Sequence, residues 1–544
     1  MKYDITIIGS GLGGLTCGYI LSKNGYKVAI FEQGAQLGGC LQTFKRKGVK
    51  FETGVHYVGS LNEGQALHHF FNYLSLFPEI VAAPLDPLGF DVVSFKGEKY
   101  KFAVGYDNFV DVLAQKFPTE RDNLKRYATA IKKVADSSPF HFDTRQLDAR
   151  LLDTRLIDTR QIDTRQIDKN SLMSNSLISN SLMSNSLISN SLTSNSLISN
   201  NFIDSSYITT SVNDFISSFT SNETLQNVLV GMIPLYNGIK DKTPLYVHAF
   251  INDSNLHGAY RIVGGSDMIA DSLVRSIRSF GGKVFASSKV SKIICDSVKA
   301  TGIILENGER IDADYVISNT HPEITINMID STLIRPMYRN RICQMEQSVA
   351  NFTVYLKFKK NTVPYMNHNY YHYNGDEIWN GEKYTDENWP RGYLYMHLCP
   401  SLSAKYAEAG EILTIMQYDE VAKWAGTKVE RRGEEYKELK RRKAEKVLAQ
   451  LERDFPGIRA NIEAYYTSSP LTYLDYTGTI KGSMYGILRD VNAPRILHRT
   501  KIPNLFLTGQ NINAHGIMGV IIGAIITCSE FLGRDFIFKQ IIKS

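Results

Sequence analysis

The stretch YDITIIGSGLGGLTCGYILSKNGYKVAIFEQ constrains this chain more than any other. Residues 3–8 form a near-continuous apolar run, rich in β-branched side chains, which reads as a buried parallel strand. Four glycines in six residues follow it directly. Glycine gives up side-chain packing and loses more backbone entropy on folding than any other residue. Such a cluster therefore points to a backbone that must approach something closely. Helix-like sequence runs on to Lys23, Gly25 closes it, and KVAIFE forms a second strand, a βαβ unit of about 30 residues. Gly9, Gly11 and Gly14 fit G-x-G-x-x-G, with Gly13 inside the pattern. The first permits a tight turn, the second lets the backbone approach a pyrophosphate, and the third lets helix and strand pack. The helix N-terminus then offers free N–H groups to the anion. Glu32 ends the second strand, with Gln33 beside it, where a carboxylate can accept from both ribose hydroxyls. The glycines thus make room for a dinucleotide.

Composition narrows the setting. At 544 residues, 43% hydrophobic and 21% charged, the chain has room for two or three domains. The net charge of +6 is a small excess. With no arginine-rich arm or nucleic-acid motif, nucleic acid is not an expected partner, and weak attraction to an anionic membrane is the most this charge supports. Six scattered cysteines make no CxxC pair, which argues against a disulfide framework or a zinc site and for a reducing compartment. The first strand starts at Tyr3, so no secretory signal is expected, and the apolar run of 12 residues from Ile517 is too short to span a bilayer. These features predict a cytoplasmic protein, with peripheral contact to a membrane at most.

From Asp143 the sequence turns into a repeat of period five, an apolar residue recurring from Leu147 to Phe202. Five residues advance a helix by about 500°, so no single helical stripe forms. The Ser/Asn-rich composition favours a solvated low-complexity insert at 143–204 over a small β-solenoid. Later, ATGIILENGERIDADYVISNT reads as a hairpin turning at ENGE plus another strand. Residues 350–400 are crowded with aromatics that suit the core of a sheet, and 429–452 reads as a charged amphipathic helix. The tail, 534–544, is a short basic amphipathic helix that either packs on the body or rests on a membrane.

Three further segments specify the dinucleotide. LGGCLQTF carries a Gly38–Gly39 doublet just past the second strand, which resembles the extended fingerprint of the two-dinucleotide-binding-domain flavoproteins. Together with FETGVHYVGS at residues 51–60 and NLFLTGQNINAHGIMGVIIGA near the C-terminus, it resembles the phytoene desaturase, carotenoid isomerase and retinol saturase group. The similarity is strongest to the retinol saturase-like, bacterial phytoene-dehydrogenase-related branch, and it covers most of 1–140 and 205–535. Many relatives carry Arg shortly after the doublet where this chain has Cys40 and Gln42, and many flavoproteins have Gly-Asp where it has Gly509–Gln510.

The resemblance implies an α/β fold with a discontinuous Rossmann-like FAD domain at 1–75, 255–325 and 485–535. An α+β substrate domain at 76–254 and 326–484 carries the insert. It implies Val290 against the adenine, Gly509 and Gln510 near the pyrophosphate and ribityl chain, and Met518, Gly519 and Val520 opening a helix toward the flavin ring. That helix dipole favours an anionic reduced flavin. It further implies hydride exchange at flavin N5 with an apolar, polyene-like substrate, as saturase, desaturase or redox-neutral isomerase. His56, Tyr57 and His515 are the candidates for proton transfer. No second G-x-G-x-x-G shows where NAD(P)H would bind, so NAD(P)H, reduced ferredoxin or flavodoxin all stand as electron donors. The alternative is a non-catalytic lipid- or prenyl-binding protein on the same fold, of the Rab escort and GDP-dissociation-inhibitor type. An amine oxidase fits less well, because its aromatic cage is not evident near the C-terminal motif.

Overall fold

A computed structural model describes residues 2–138 and 206–544. The repeat insert expected at 143–204 lies outside the described residues. The strands Lys283–Phe285, Val28–Phe31, Lys2–Ile8, Arg310–Ser318 and Leu505–Leu507 lie side by side in that order, all parallel. Alternate residues of these strands serve two cores, as the period-two geometry of a strand requires. Ile5, Ile7, Val28 and Ile30 face one core, shared with the helices Leu12–Lys23, Asp267–Ser279 and Gly516–Leu532. Tyr3, Ala29 and Phe31 face the other, shared with Val290, Ile293 and Ile303 of a β-meander. Both faces are covered, which is why these strands read as unbroken apolar runs.

The segment expected as a hairpin arm plus another strand is one strand, Arg310–Ser318. Its first part pairs antiparallel with Ala300–Leu305, Gly302 opposite Asp312, and its last part pairs parallel with Leu505–Leu507, Val316 opposite Leu505. The change is one of partner, not of conformation, so a local pattern cannot register it.

A second sheet of seven strands runs Ile462–Ser468, Ala350–Phe358, Ala409–Met416, Gly392–His397, Asn369–Tyr373, Asp91–Phe95, Glu98–Phe102. All neighbours are antiparallel except Asn369–Tyr373 and Asp91–Phe95. Tyr370, Tyr371, Tyr393 and Tyr395 lie on its strands and are buried, so the aromatic stretch is chiefly sheet core. The helix Gly433–Asp454 packs on it through Val447, Leu448 and Leu451.

The tail helix Arg534–Lys543 buries Ile537 and Ile541 completely, in the core that holds Phe70 and Phe71. Its apolar face is occupied by the body of the protein. Among the described residues no helix is long and apolar enough to cross a membrane. Truncating a wholly buried isoleucine removes apolar burial and leaves a cavity. Ile541→Ala should therefore lower unfolding stability by about 2–4 kcal/mol, read as a shifted urea midpoint. A loss under about 1 kcal/mol would mean that the tail docks only loosely.

Candidate active site

Gly9 turns the chain at a φ of +93°, and the helix Leu12–Lys23 begins at Gly11 with no side chain capping its N–H groups and no acid in its first turn. An uncapped N-terminus of this kind suits a pyrophosphate. The surrounding backbone admits no side chains. A Cβ on Gly14 would lie 2.1 Å from the Gly9 carbonyl oxygen. A Cβ on Gly13 would lie 2.5 Å from Asn319 Oδ1 and 3.0 Å from Gly509 Cα, and one on Gly39 would lie 3.1 Å from Gly11 Cα. Gly38, Gly39 and Gly509 all have positive φ. The doublet and the Gly509 turn thus both lean on the fingerprint loop.

Asn319 escaped the sequence reading. It follows the strand Arg310–Ser318, donates its N–H to the Ile8 carbonyl at 2.8 Å, and holds its amide beside Gly11, Gly13 and Gly509. The available signal was the break from an apolar strand to Asn-Thr at the carboxyl end of a parallel sheet, where α/β folds bind ligands.

Glu32 is buried and fixed. It accepts from the Ser10 N–H at 2.9 Å, the Ser10 hydroxyl at 2.8 Å and the Gly34 N–H at 2.8 Å. A carboxylate has about four acceptor positions, which leaves capacity for a ribose hydroxyl. Gln33 is exposed beside it. The Ser288 N–H donates to the Glu32 carbonyl at 2.7 Å, which ties the segment leading to buried Val290 to the same strand end. At the other end, Met518 and Gly519 lie in the first turn of Gly516–Leu532 and Val520 begins the second. His515 precedes this helix, and again no side chain caps its N–H groups. Arg489 donates to the Gln510 carbonyl at 2.8 Å. Glycine cradles and uncapped helix starts at both ends fit a dinucleotide that runs from Glu32 toward Met518.

A cavity of about 670 Å³ opens against this second end. Its wall includes His56, Tyr57, Tyr485, His515, Met518 and Gly519. The structure thus brings the three candidate proton carriers to one cavity, in three different environments. The Tyr57 hydroxyl donates to Asp91 Oδ2 at 2.9 Å and lies 2.7 Å from the Tyr371 hydroxyl. Burial pushes Tyr57 up, and burial raises Asp91 to about 7 against the hydrogen bonds from Asn369 and Tyr57. His515 stacks on Tyr485 with ring centroids 4.3 Å apart, and burial together with the Arg489 charge lowers it to about 3, so it is neutral. His56 Nδ1 lies 3.1 Å from Oε2 of Glu411, a fully buried carboxylate. Asp91, Glu411, Tyr485 and Arg489 were not singled out from sequence, because each is remote in the chain from the residue it serves. Burial pushes the Cys40 thiol up to about 11, and its Cβ packs under Gly54, which fits a packing role.

Residues 7–74 match the NAD(P)-binding Rossmann-like domain family. All-trans-retinol 13,14-reductase from Homo sapiens is 26% identical, over 98% of this chain and 86% of that protein. Prolycopene isomerase 2, chloroplastic, from an Oncidium hybrid cultivar is 20% identical, over 99% of this chain and 85% of that one. The crystal structure of an oxidoreductase from Methanosarcina mazei shares the fold, with a TM-score of 0.58 at 17% identity over 96% of this chain and 99% of that chain.

Gly14→Ala places its methyl group inside contact distance of the Gly9 carbonyl. The strand–turn–helix must open to admit it, so the share of purified protein carrying a bound dinucleotide should fall at least about tenfold, a change of about 1.4 kcal/mol. Full retention in the variant would show that the loop does not hold the ligand.

Proposed function

We propose that this chain, which resembles the retinol saturase and carotenoid isomerase group along nearly its whole length, is an FAD-dependent oxidoreductase acting on C–C and C=C bonds of an apolar polyene of the retinoid or carotenoid class. The observation that carries this reading is the junction of the two sites. The first turn of Gly516–Leu532 bounds the 670 Å³ cavity, while Gly509, upstream of it, abuts the fingerprint loop. A cofactor held at both ends would present its reactive ring to that cavity.

FAD when bound supplies two-electron hydride exchange with a carbon centre. The protein does the rest. The N–H groups that open Leu12–Lys23, with Gly9, Gly11, Gly13 and Gly14, receive the pyrophosphate. Glu32 would hold the ribose and Val290 the adenine. Gly38 and Gly39 would let the chain close on the fingerprint loop, where Gly39 abuts Gly11, and Gln510 would offer an amide to the ribityl chain. The positive end of the helix that carries Met518, Gly519 and Val520 would receive negative charge on the ring. Leu488, Ile517 and Ile522 add apolar wall, which suits an isoprenoid chain and keeps water away. Electrons come from a donor of the NAD(P)H, reduced ferredoxin or flavodoxin class. The lipid-binding alternative requires none of this cofactor machinery, and the glycine cradle and the two uncapped helix starts favour the flavoenzyme.

The test is anaerobic mixing of the reduced, FAD-loaded protein with all-trans-retinol as the polyene probe. Reoxidation of the flavin with formation of a dihydro product is expected. Glu32→Gln should weaken FAD binding about tenfold by giving up charge-assisted acceptance of the ribose. A protein that binds retinol tightly yet never binds FAD would overturn the enzyme reading in favour of a carrier.

A further inference from the structure

The cavity wall holds three groups able to move a proton, and their surroundings separate them. His515 is stacked on Tyr485 with ring centroids 4.3 Å apart, and burial and Arg489 hold it neutral, so its remaining N–H is a far weaker acid than an imidazolium. The Tyr57 hydroxyl already donates to Asp91, a residue of the second sheet, and so is directed at that sheet. His56 differs. Its Nδ1 and Glu411 Oε2 lie 3.1 Å apart as an ion-pair contact, and neither buried atom has a hydrogen-bond partner of its own. The imidazole makes no further hydrogen bond among the described residues, and its side chain keeps 13% of its surface accessible. It lines both the main cavity and a smaller one beside Tyr373 and Tyr393.

Glu411 is itself rigidly placed. It sits on the strand Ala409–Met416 with no exposed surface, and its other oxygen accepts the Glu52 N–H at 2.8 Å. The other titratable groups that face it are Glu52, Tyr355 and Tyr473. None is a cation. Burial raises Glu52 to about 8, the neighbouring Glu411 adds to that rise, and Ser266 donates to it through both N–H and hydroxyl. His56 is therefore the group that answers the Glu411 carboxylate. A carboxylate on Nδ1 fixes the imidazole tautomer and orientation and leaves Nε2 as the working nitrogen.

We propose that His56 is the catalytic residue that exchanges a proton with the substrate through Nε2, and that Glu411 is the positioning residue that holds it there. This rests on the polyene oxidoreductase reading above. In the saturating direction one carbon of the C=C unit gains a hydrogen with two electrons from the reduced cofactor. The second carbon forms its C–H bond with the proton from His56 Nε2. His56 is left neutral and regains its proton from water. An external two-electron reductant of the dihydronicotinamide class, or two one-electron transfers from a reduced iron–sulfur or flavin protein, restores the cofactor. Desaturation runs the same steps in reverse, with His56 as base.

The experiment separates the two half-reactions by anaerobic stopped flow. Dithionite reduction of bound flavin needs no proton on carbon, so His56→Gln and Glu411→Gln should match wild type there. Reoxidation by all-trans-retinol should slow by about 10²–10⁴-fold in His56→Gln, the usual worth of a general acid. Glu411→Gln should slow it by about tenfold or more. The double variant should be no slower than His56→Gln alone, because the two act as a unit. Nitrogen-15 NMR of histidine-labelled wild-type protein should find neutral His56 protonated on Nδ1. Wild-type reoxidation rates in His56→Gln, or a neutral His56 protonated on Nε2, would overturn the assignment while leaving the flavoenzyme reading intact. Failure of wild type itself to react with the polyene would count against that reading, and the tautomer would still decide the placement of His56.

Discussion

Everything in this structure depends on a contact between two stretches of bare backbone. The fingerprint loop and the Gly509 turn approach so closely that a single Cβ on Gly13 would reach Gly509 Cα. That approach fixes the N-terminal βαβ unit against a helix nearly 500 residues later in sequence. Neighbouring small residues extend it. The Cys17 sulfur lies 3.8 Å from the Ala524 carbonyl and 3.9 Å from the Thr508 hydroxyl, and Gly18 leaves room for Ile30. Two helices that both begin without a side-chain cap are thereby aimed into one site, and their free N–H groups become its electrostatic floor.

The second sheet completes the site from the other side. It contributes no backbone to the dinucleotide loop. It sends Asp91 and Glu411 toward the Thr53–Tyr57 segment, so His56 and Tyr57, which line the cavity there, each face a buried carboxylate. Burial alone would make both carboxylates expensive. Each is given hydrogen-bond donors in return, Asn369 and Tyr57 for Asp91, the Glu52 N–H for Glu411. Three protonatable side chains on one wall thus acquire different chemistry from their second partners rather than from their own identity.

The sequence made the local part of this legible. A strand, a glycine turn, a helix and an acidic strand end lie within about 30 contiguous residues, and the Gly38–Gly39 doublet and the glycine-bearing C-terminal helix are equally local. What stayed hidden was tertiary. Asn319 belongs to no motif and matters only because its strand lies beside the first. Glu411 looks like one acid in an apolar strand until the fold sets it against His56. The long strand Arg310–Ser318 changes partner without changing its pattern. The helix expected at 429–452 runs Gly433–Asp454, its start shifted to Gly433, whose φ of +81° suits a chain turning into a helix.

The most direct test of the central claim is the visible absorption of the purified protein, anaerobically, before and after dithionite. Oxidised-flavin bands that bleach on reduction and return with oxygen are expected. A protein that shows no such bands, even after incubation with excess FAD, would contradict that claim, and would leave the glycine cradle without the ligand that its geometry is built to receive.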